Sequence, residues 1–398
     1  MFLHTSLKEE IRLKTLIELF DASPIENVLA TLVFQPEETI FLCPPETAND
    51  RVLKQAIRDF IACRKCPVRL KFVPVSLLDA EKTGRVLREV LDSRKDCAID
   101  ISGGTDAALF ATGEVSGNTP VFTYSVRKNT FYEIKNASFA RGLPCDVRLD
   151  VASCLLLTGG TLLPGRADNS ILSSMTTQID RLFAVYSRFR RVWNWQISYI
   201  QKISSPDVAN LWAEGALTEE AGNKHVDADP RFFDALAEAG LILDLQYSSD
   251  SIRFRFPDET VRFWLRDIGS VLELQVWRAC CAAECFDDVV LSAVVNWQNE
   301  QIKGDSVTNE IDVMAVQGIR PVFISCKTCE VHTEALNELA ILRDRFGGKF
   351  SRAILATSGM TAKNRAPMRS RASKLGIDLI EWDDMSLDRL VSRLRQDG

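Results

Sequence analysis

A chain of 398 residues, 46% hydrophobic and 26% charged, is long enough for two or three domains with buried cores. Its formal net charge of −6 excludes a uniformly basic nucleic-acid coat, so any contact with a polyanion has to come from a local patch. Only three histidines occur, His4, His225 and His332, which argues against histidine-rich metal sites and histidine-dependent hydrolysis. If the chain cuts phosphodiesters, carboxylates, lysine and a metal have to do it. The eleven cysteines, an odd number set mostly in apolar runs, point to a reducing compartment. With neither a signal peptide nor an apolar run of about 18 residues, the expectation is a cytoplasmic protein with no membrane partner. The CxxC pairs Cys63/Cys66 and Cys326/Cys329 lie too far apart for a zinc ribbon, and Cys280, Cys281 and Cys285 read as helix packing.

Residues 14–20 are a strand-like apolar run, followed by Asp21-Ala22-Ser23-Pro24, a helix start with proline in its first turn. Helical periodicity over 25–34 precedes a strand at 39–43. The rhythm repeats with helix at 50–62, strand at 69–75, helix at 79–92 and strand at 97–101. A helix at about 106–113 and a strand at 120–126 complete it. This alternation predicts a doubly wound, mostly parallel sheet, in which ligands sit at the carboxyl ends of the strands. Two loops there have suitable chemistry: Asp21-Ala22-Ser23 after the first strand and Ser102-Gly103-Gly104-Thr105 after the fourth. Glycine lets backbone approach a ligand, and helix-start amides favour phosphate. By its chemistry alone the glycine turn is equally a plain tight turn, and it is neither a Walker loop nor GxGxxG.

With Arg127 and Lys128 as a basic element after the fifth strand, residues 14–140 resemble a CARF domain, the sensor of cyclic oligoadenylates in type III CRISPR defence. The resemblance implies ligand contacts from Asp21, Ala22, Ser23, Ser102, Gly103, Gly104, Thr105, Arg127 and Lys128. Many CARF domains place lysine after Gly-Gly-Thr, whereas this chain has Asp106, an unfavourable neighbour for a polyanion. Either Asp106 points away, or Arg127 and Lys128 take over the charge role.

Residues 172–203 form one long candidate helix rich in arginine and aromatics, read as a connector or dimer-packing helix rather than a nucleic-acid face. Residues 230–256 follow a helix, strand, polar turn, strand pattern that resembles the wing of a winged helix, here more a spacer than a reader of DNA.

The chemistry concentrates in the last third. A long helix at 260–286 carries Glu273, strands are expected at 288–297, 309–316 and 320–328, and a further helix begins near Glu330 and carries Glu338. Charged residues inside strands are expensive unless used. Glu310 and Asp312 alternate on one strand and so share a face. Lys327, fifteen residues beyond Asp312, ends the next strand of a hairpin and can lie beside it. Two or three carboxylates with a lysine can hold Mg²⁺ or Mn²⁺ and hydrolyse a phosphodiester. The structural alternative is a buried ion cluster of Glu310, Asp312 and Lys327.

The order of Glu273, Asn-Glu-Ile-Asp and Ile-Ser-Cys-Lys resembles the PD-(D/E)xK restriction-like pattern. It departs at Ser325, where the family often has Asp or Glu, and that bears on how many metal ligands there are. The resemblance implies Asp312 as central metal ligand, Glu310 and Glu273 in support, the Cys326 carbonyl as a further ligand, and Lys327 orienting water. Glu338 is a lesser candidate. Strands are expected at 351–357 and 376–381. The helix between them, with Lys363, Arg365, Arg369 and Arg371, is either a phosphate-backbone groove or a solvated face.

The expected architecture is therefore α/β: a Rossmann-like CARF domain (1–140), a connector with a winged-helix-like segment (141–259) and a restriction-endonuclease-like α/β/α domain (260–398). The expected function is a cyclic tetraadenylate-activated, metal-dependent endonuclease cutting DNA, RNA or both, working as a homodimer with its ligand across the two-fold axis. The rival is a non-catalytic sensor and DNA-binding regulator.

Overall fold

Apolar runs alternating with amphipathic helices build the first sheet of the computed structural model, which describes residues 13–20, 25–164, 169–221, 224–297, 308–348 and 350–396. Strand β1 (Thr15–Leu19) is buried along its whole length. Helix α1 (Glu26–Phe34) leads to β2 (Glu38–Cys43), and α2 (Pro45–Asn49) with α3 (Arg51–Cys63) to β3 (Arg69–Pro74). Next come α4 (Ala80–Ser93), β4 (Cys97–Asp100), α5 (Asp106–Val115), β5 (Val121–Ser125) and β6 (Thr130–Lys135). The helices start where the sequence supplies oxygen acceptors: Asp50, Asp79 and Thr105 cap the amides of Leu53, Lys82 and Ala108. The strand order is β3-β2-β1-β4-β5-β6, parallel except for β6, so the winding reverses between β1 and β4. In doubly wound sheets a ligand crevice forms at such a reversal. This is the doubly wound sheet the sequence predicts.

The middle segment comprises α6 (Val151–Leu157), β7 (Thr161–Leu162), α7 (Asn169–Ser174), α8 (Thr176–Phe189) and α9 (Trp193–Ile203). It continues through β8 (Trp212–Ala216), β9 (Thr218–Ala221), β10 (Lys224–Asp227), α10 (Pro230–Glu238), β11 (Leu243–Tyr247) and β12 (Ser251–Arg255). The single helix expected over 172–203 is instead three. Ser173 and Ser174 turn their hydroxyls back onto the carbonyls of Asn169 and Ile171, which weakens the first helix near its end. The second break, at residues 190–192, brings Tyr186 and Trp193 edge to face in one core. The expected wing is present, as an antiparallel sheet β11-β12-β8.

Helix α11 (Glu259–Trp264) and helix α12 (Ser270–Ala282) replace the long helix expected at 260–286. Asp267 ends the continuity by accepting from the Ser270 amide at 2.7 Å and its hydroxyl at 2.8 Å, a new helix start. Then follow β13 (Asp288–Asn296), β14 (Thr308–Gln317), β15 (Arg320–Lys327), α13 (Thr333–Phe346), β16 (Arg352–Thr357), α14 (Ala362–Lys374), β17 (Ile377–Ile380) and α15 (Leu387–Arg395). The second sheet runs β17-β16-β15-β14-β13-β7, so two residues of the middle segment complete it. Helix α13 starts three residues later than expected, because Glu330 is engaged elsewhere: it accepts from Thr361 and Asn364 at the start of α14.

Two apolar cores tie the parts together. One joins the first sheet to the α13 face of the second sheet, and the other joins the middle segment to the α12 and α15 face. Polar contacts reinforce the first joint: the Leu149 amide donates to the Gly318 carbonyl and the Val151 amide to Asp288, both at 2.9 Å. All eleven cysteines are free, and among the described residues no helix is long and apolar enough to cross a membrane.

Candidate active site and ligand loop

The ladder between β14 and β15 ends at the pair Val313 and Ile324. Beyond it the Cys326 amide no longer faces a strand carbonyl and donates instead to Asp312 Oδ2 at 2.6 Å. Ser325 Oγ donates to the same oxygen at 3.1 Å, and Lys327 Nζ lies 3.6 Å from it. On the other side, the register of β13 and β14 sets Ser292 opposite Asp312, and Ser292 takes φ 52°, in the left-handed region. Asp312 and Lys327 thus stand side by side, where the spacing places them.

Glu273 reaches the same place from α12. Burial, then the nearby carboxylates of Asp312, Asp267 and Glu310, push its carboxyl up to about 8, with Lys327 opposing. The sequence reading missed Asp267, which starts α12 and adds negative charge beside Glu273. Its signal was Asp-Ile-Gly-Ser, an acid three residues before a helix-start serine. Glu310 is exposed at the edge of this cluster. Glu338 stands apart, accepting from Asn309 at 3.3 Å and lining, with Trp297 and Asn337, a groove of about 390 Å³. Among the described residues, no three acidic, histidine or cysteine side chains converge to cage a metal. The donor chemistry nevertheless fits a hard divalent ion: carboxylates crowd one another with one lysine among them, and such ions often take one or two carboxylates plus water and substrate oxygens.

The break between α8 and α9 sits on the loops flanking Lys327. The Ser358 amide donates to the Lys327 carbonyl at 3.1 Å, and Tyr186 shares a hydrogen bond with the Ser358 hydroxyl. Arg190 donates to the Ser358 carbonyl at 2.9 Å with its guanidinium 4.3 Å from the Trp382 ring centre. Arg190→Ala should lower stability by about 1–2 kcal/mol, the sum of one hydrogen bond and one cation–π contact, as read by urea unfolding. An unchanged midpoint would show that this contact is incidental.

The basic helix α14 is less available than its composition suggests. Arg365 and Arg369 both pair with Glu381, and Arg371 donates to Asn337. Lys363 is exposed.

In the first domain, the Ser-Gly-Gly-Thr turn caps the carboxyl end of β4 beside β1. Gly104 takes φ +91°, and a Cβ there would come within 2.9 Å of Leu19 Cβ, so glycine is required by both backbone and neighbour. Thr105 caps α5 and also donates to the Leu77 carbonyl. Asp106 is the exposed first residue of that helix, and Arg127 and Lys128 are exposed in the turn between β5 and β6. Asp21, Ala22 and Ser23 lie outside the described residues.

A family model described as Card1-like, endonuclease domain, matches residues 258–396. The C-terminal third is therefore similar to a Card1-like endonuclease domain. Its match takes in Glu273, Glu310, Asp312 and Lys327. No curated protein matches the chain. Among solved structures, protein VC1899 from Vibrio cholerae superposes with a TM-score of 0.71 at 19% identity, over 96% of this chain and 97% of that one. Can2 from Sulfobacillus thermosulfidooxidans, in complex with cyclic tetra-adenylate, superposes with a TM-score of 0.68 at 16% identity, over 98% and 97%. At these identities the likeness is one of fold, and it extends from the first sheet through the second.

Proposed function

We propose that the chain is a metal-dependent endonuclease of type III CRISPR defence, switched on by cyclic tetra-adenylate bound to the N-terminal sheet. The observation that carries this is the joining of a Card1-like endonuclease domain to a doubly wound domain, in a fold shared along its whole length with Can2, itself solved with that ligand. Asp312 would hold the ion, with Glu273, Glu310 and the Cys326 carbonyl in support. The ion would supply charge stabilisation at the phosphate and a more acidic bound water. Lys327 orients water and offsets charge on the phosphate. Ser325 keeps Asp312 in place by its hydrogen bond. The basic side chain of Lys363, with whatever Arg365, Arg369 and Arg371 release from their present partners, would meet the nucleic-acid backbone. Two copies would place their ligand loops around a shared two-fold axis, suited to a symmetric ring.

The test is cleavage of plasmid DNA, single-stranded DNA and single-stranded RNA with Mg²⁺, Mn²⁺ or chelator. Cutting that chelator stops would support a metal-dependent enzyme and identify its substrate; cutting that survives chelation would overturn the metal's role. Ser325→Asp supplies the acid of the family pattern. The metal concentration for half-maximal cutting should then fall about tenfold, because a further oxygen ligand tightens the site. An unchanged requirement would mean that this position does not face the ion. Ser325 also keeps a second reading open, a sensor that binds DNA without cutting.

A further inference from the structure

Two carboxyls are buried under the ligand loop, and among the described residues no cation balances them. Glu18 and Asp100 are register partners on the adjacent parallel strands β1 and β4, 2% and 0% exposed. Their neighbours across the sheet are aromatic: Phe41 on β2 beside Glu18, and Phe122 on β5 beside Asp100, both fully buried. The next charged side chain in that row, Glu133 on β6, is already paired with Arg141. Each carboxyl's charged neighbour is the other, and both are raised, chiefly by burial: Asp100 to about 7, and Glu18 well above the usual carboxylate range. Glu18 Oε1 and Asp100 Oδ2 find no hydrogen-bond partner among the described residues. A proton held between the two side chains would satisfy both orphaned oxygens.

The other oxygen of Asp100 holds the loop. Its Oδ1 accepts from the Ser102 amide at 2.8 Å and from the Ser102 hydroxyl, which in turn accepts from the Tyr124 amide at 2.8 Å. The first residue of Ser-Gly-Gly-Thr is therefore pinned between β4 and β5 by a fully buried side chain.

We propose that Glu18 and Asp100 act as one proton-sharing positioning unit for this loop: with a proton between them the loop is held for an anionic ligand, and losing that proton weakens the ligand's hold by placing two like charges beneath it. This rests on the reading of the loop as the ligand site. The ligand's phosphodiesters do not titrate near neutrality, so a pH dependence there has to come from the protein.

The experiment has two arms on the full chain, with Glu18→Gln, Asp100→Asn and Asp100→Ala. In the first, calorimetry measures cyclic tetra-adenylate affinity from pH 6 to 9. Wild-type affinity should weaken up to about tenfold per pH unit as the pair loses its proton. Glu18→Gln and Asp100→Asn, which leave one carboxyl with an amide donor beside it and so exclude the doubly charged pair, should bind at neutral pH within about threefold of wild type and flatten the profile. Asp100→Ala, which frees Ser102, should lose at least about tenfold. An unflattened profile in both isosteric variants, or wild-type binding by Asp100→Ala, would overturn the proposal. The second arm needs no ligand. Acids whose folded pKa is raised make stability fall as pH rises from the unfolded value of about 4.5 through the folded one. Wild type should therefore lose stability relative to Glu18→Gln between pH 5 and 8, and parallel curves would overturn the shared proton. If no protein binds the nucleotide while the stability curves diverge, the assignment of the ligand has failed and the proton pair stands.

Discussion

Asp312→Ala should yield a folded protein whose cutting is lower by roughly a thousandfold or more, the scale on which a charge-stabilising group in a phosphoryl site acts. Its side chain gathers the Cys326 amide, the Ser325 hydroxyl and the Lys327 ammonium at the point where β14 and β15 part. Losing those hydrogen bonds costs about 1–2 kcal/mol, but the substitution also removes the strongest like charge acting on Glu273, so the melting temperature should move little. Asp312→Asn sharpens the result. It retains an acceptor for the Cys326 amide and gives up the charge, so equal loss of cutting in both variants assigns the role to the carboxylate rather than to strand geometry. Lys327→Ala should be similarly inactive. Cutting by pure Asp312→Asn at the wild-type rate would remove the proposed site altogether.

Gly104→Ala should weaken binding of cyclic tetra-adenylate by about a hundredfold, with the C-terminal third still folded. The added Cβ meets Leu19 Cβ at 2.9 Å, and an alanine at φ +91° carries about 1–3 kcal/mol of backbone strain, so the loop has to move. Each hydrogen bond to a charged group that is lost as the loop amides shift costs about 1.5–3 kcal/mol, which is about ten- to a hundredfold in affinity. Calorimetry with the ligand reads the effect. Wild-type affinity in a folded Gly104→Ala would place the ligand elsewhere.

Much of this was legible in the residues. The alternation of TLIEL, TIFLC and CAIDI with capped amphipathic helices announces a doubly wound sheet, because each apolar run is short, buried and followed by a helix start. The carboxylate and lysine cluster was legible because Glu310, Asp312 and Lys327 are charges inside strands, and the spacing from Asp312 to Lys327 closes a hairpin. The same rule applied to Glu18 and Asp100 would have marked them too, but sequence alone does not say that β1 and β4 are neighbours, with six elements between them in the chain. Helix breaks were hidden for a different reason. Residues 172–203 and 260–286 keep helical periodicity across their joints, and what ends each helix is a side-chain bond: serine to the preceding turn, Asp267 to Ser270. The seating of Arg190 on Ser358 and Trp382 joins positions far apart in sequence, as does the use of Arg365 and Arg369 on Glu381, so composition overstated how much of α14 is free for phosphate.

The measurement that bears most directly on the whole account is the rate of nucleic-acid cutting at fixed Mn²⁺, with and without saturating cyclic tetra-adenylate, for wild type and Asp312→Asn in parallel. The account predicts cutting by wild type that rises sharply with the ligand and is absent from Asp312→Asn under both conditions. Wild-type protein that binds the ligand and cuts nothing, or cuts equally well without it, would contradict a ligand-gated nuclease.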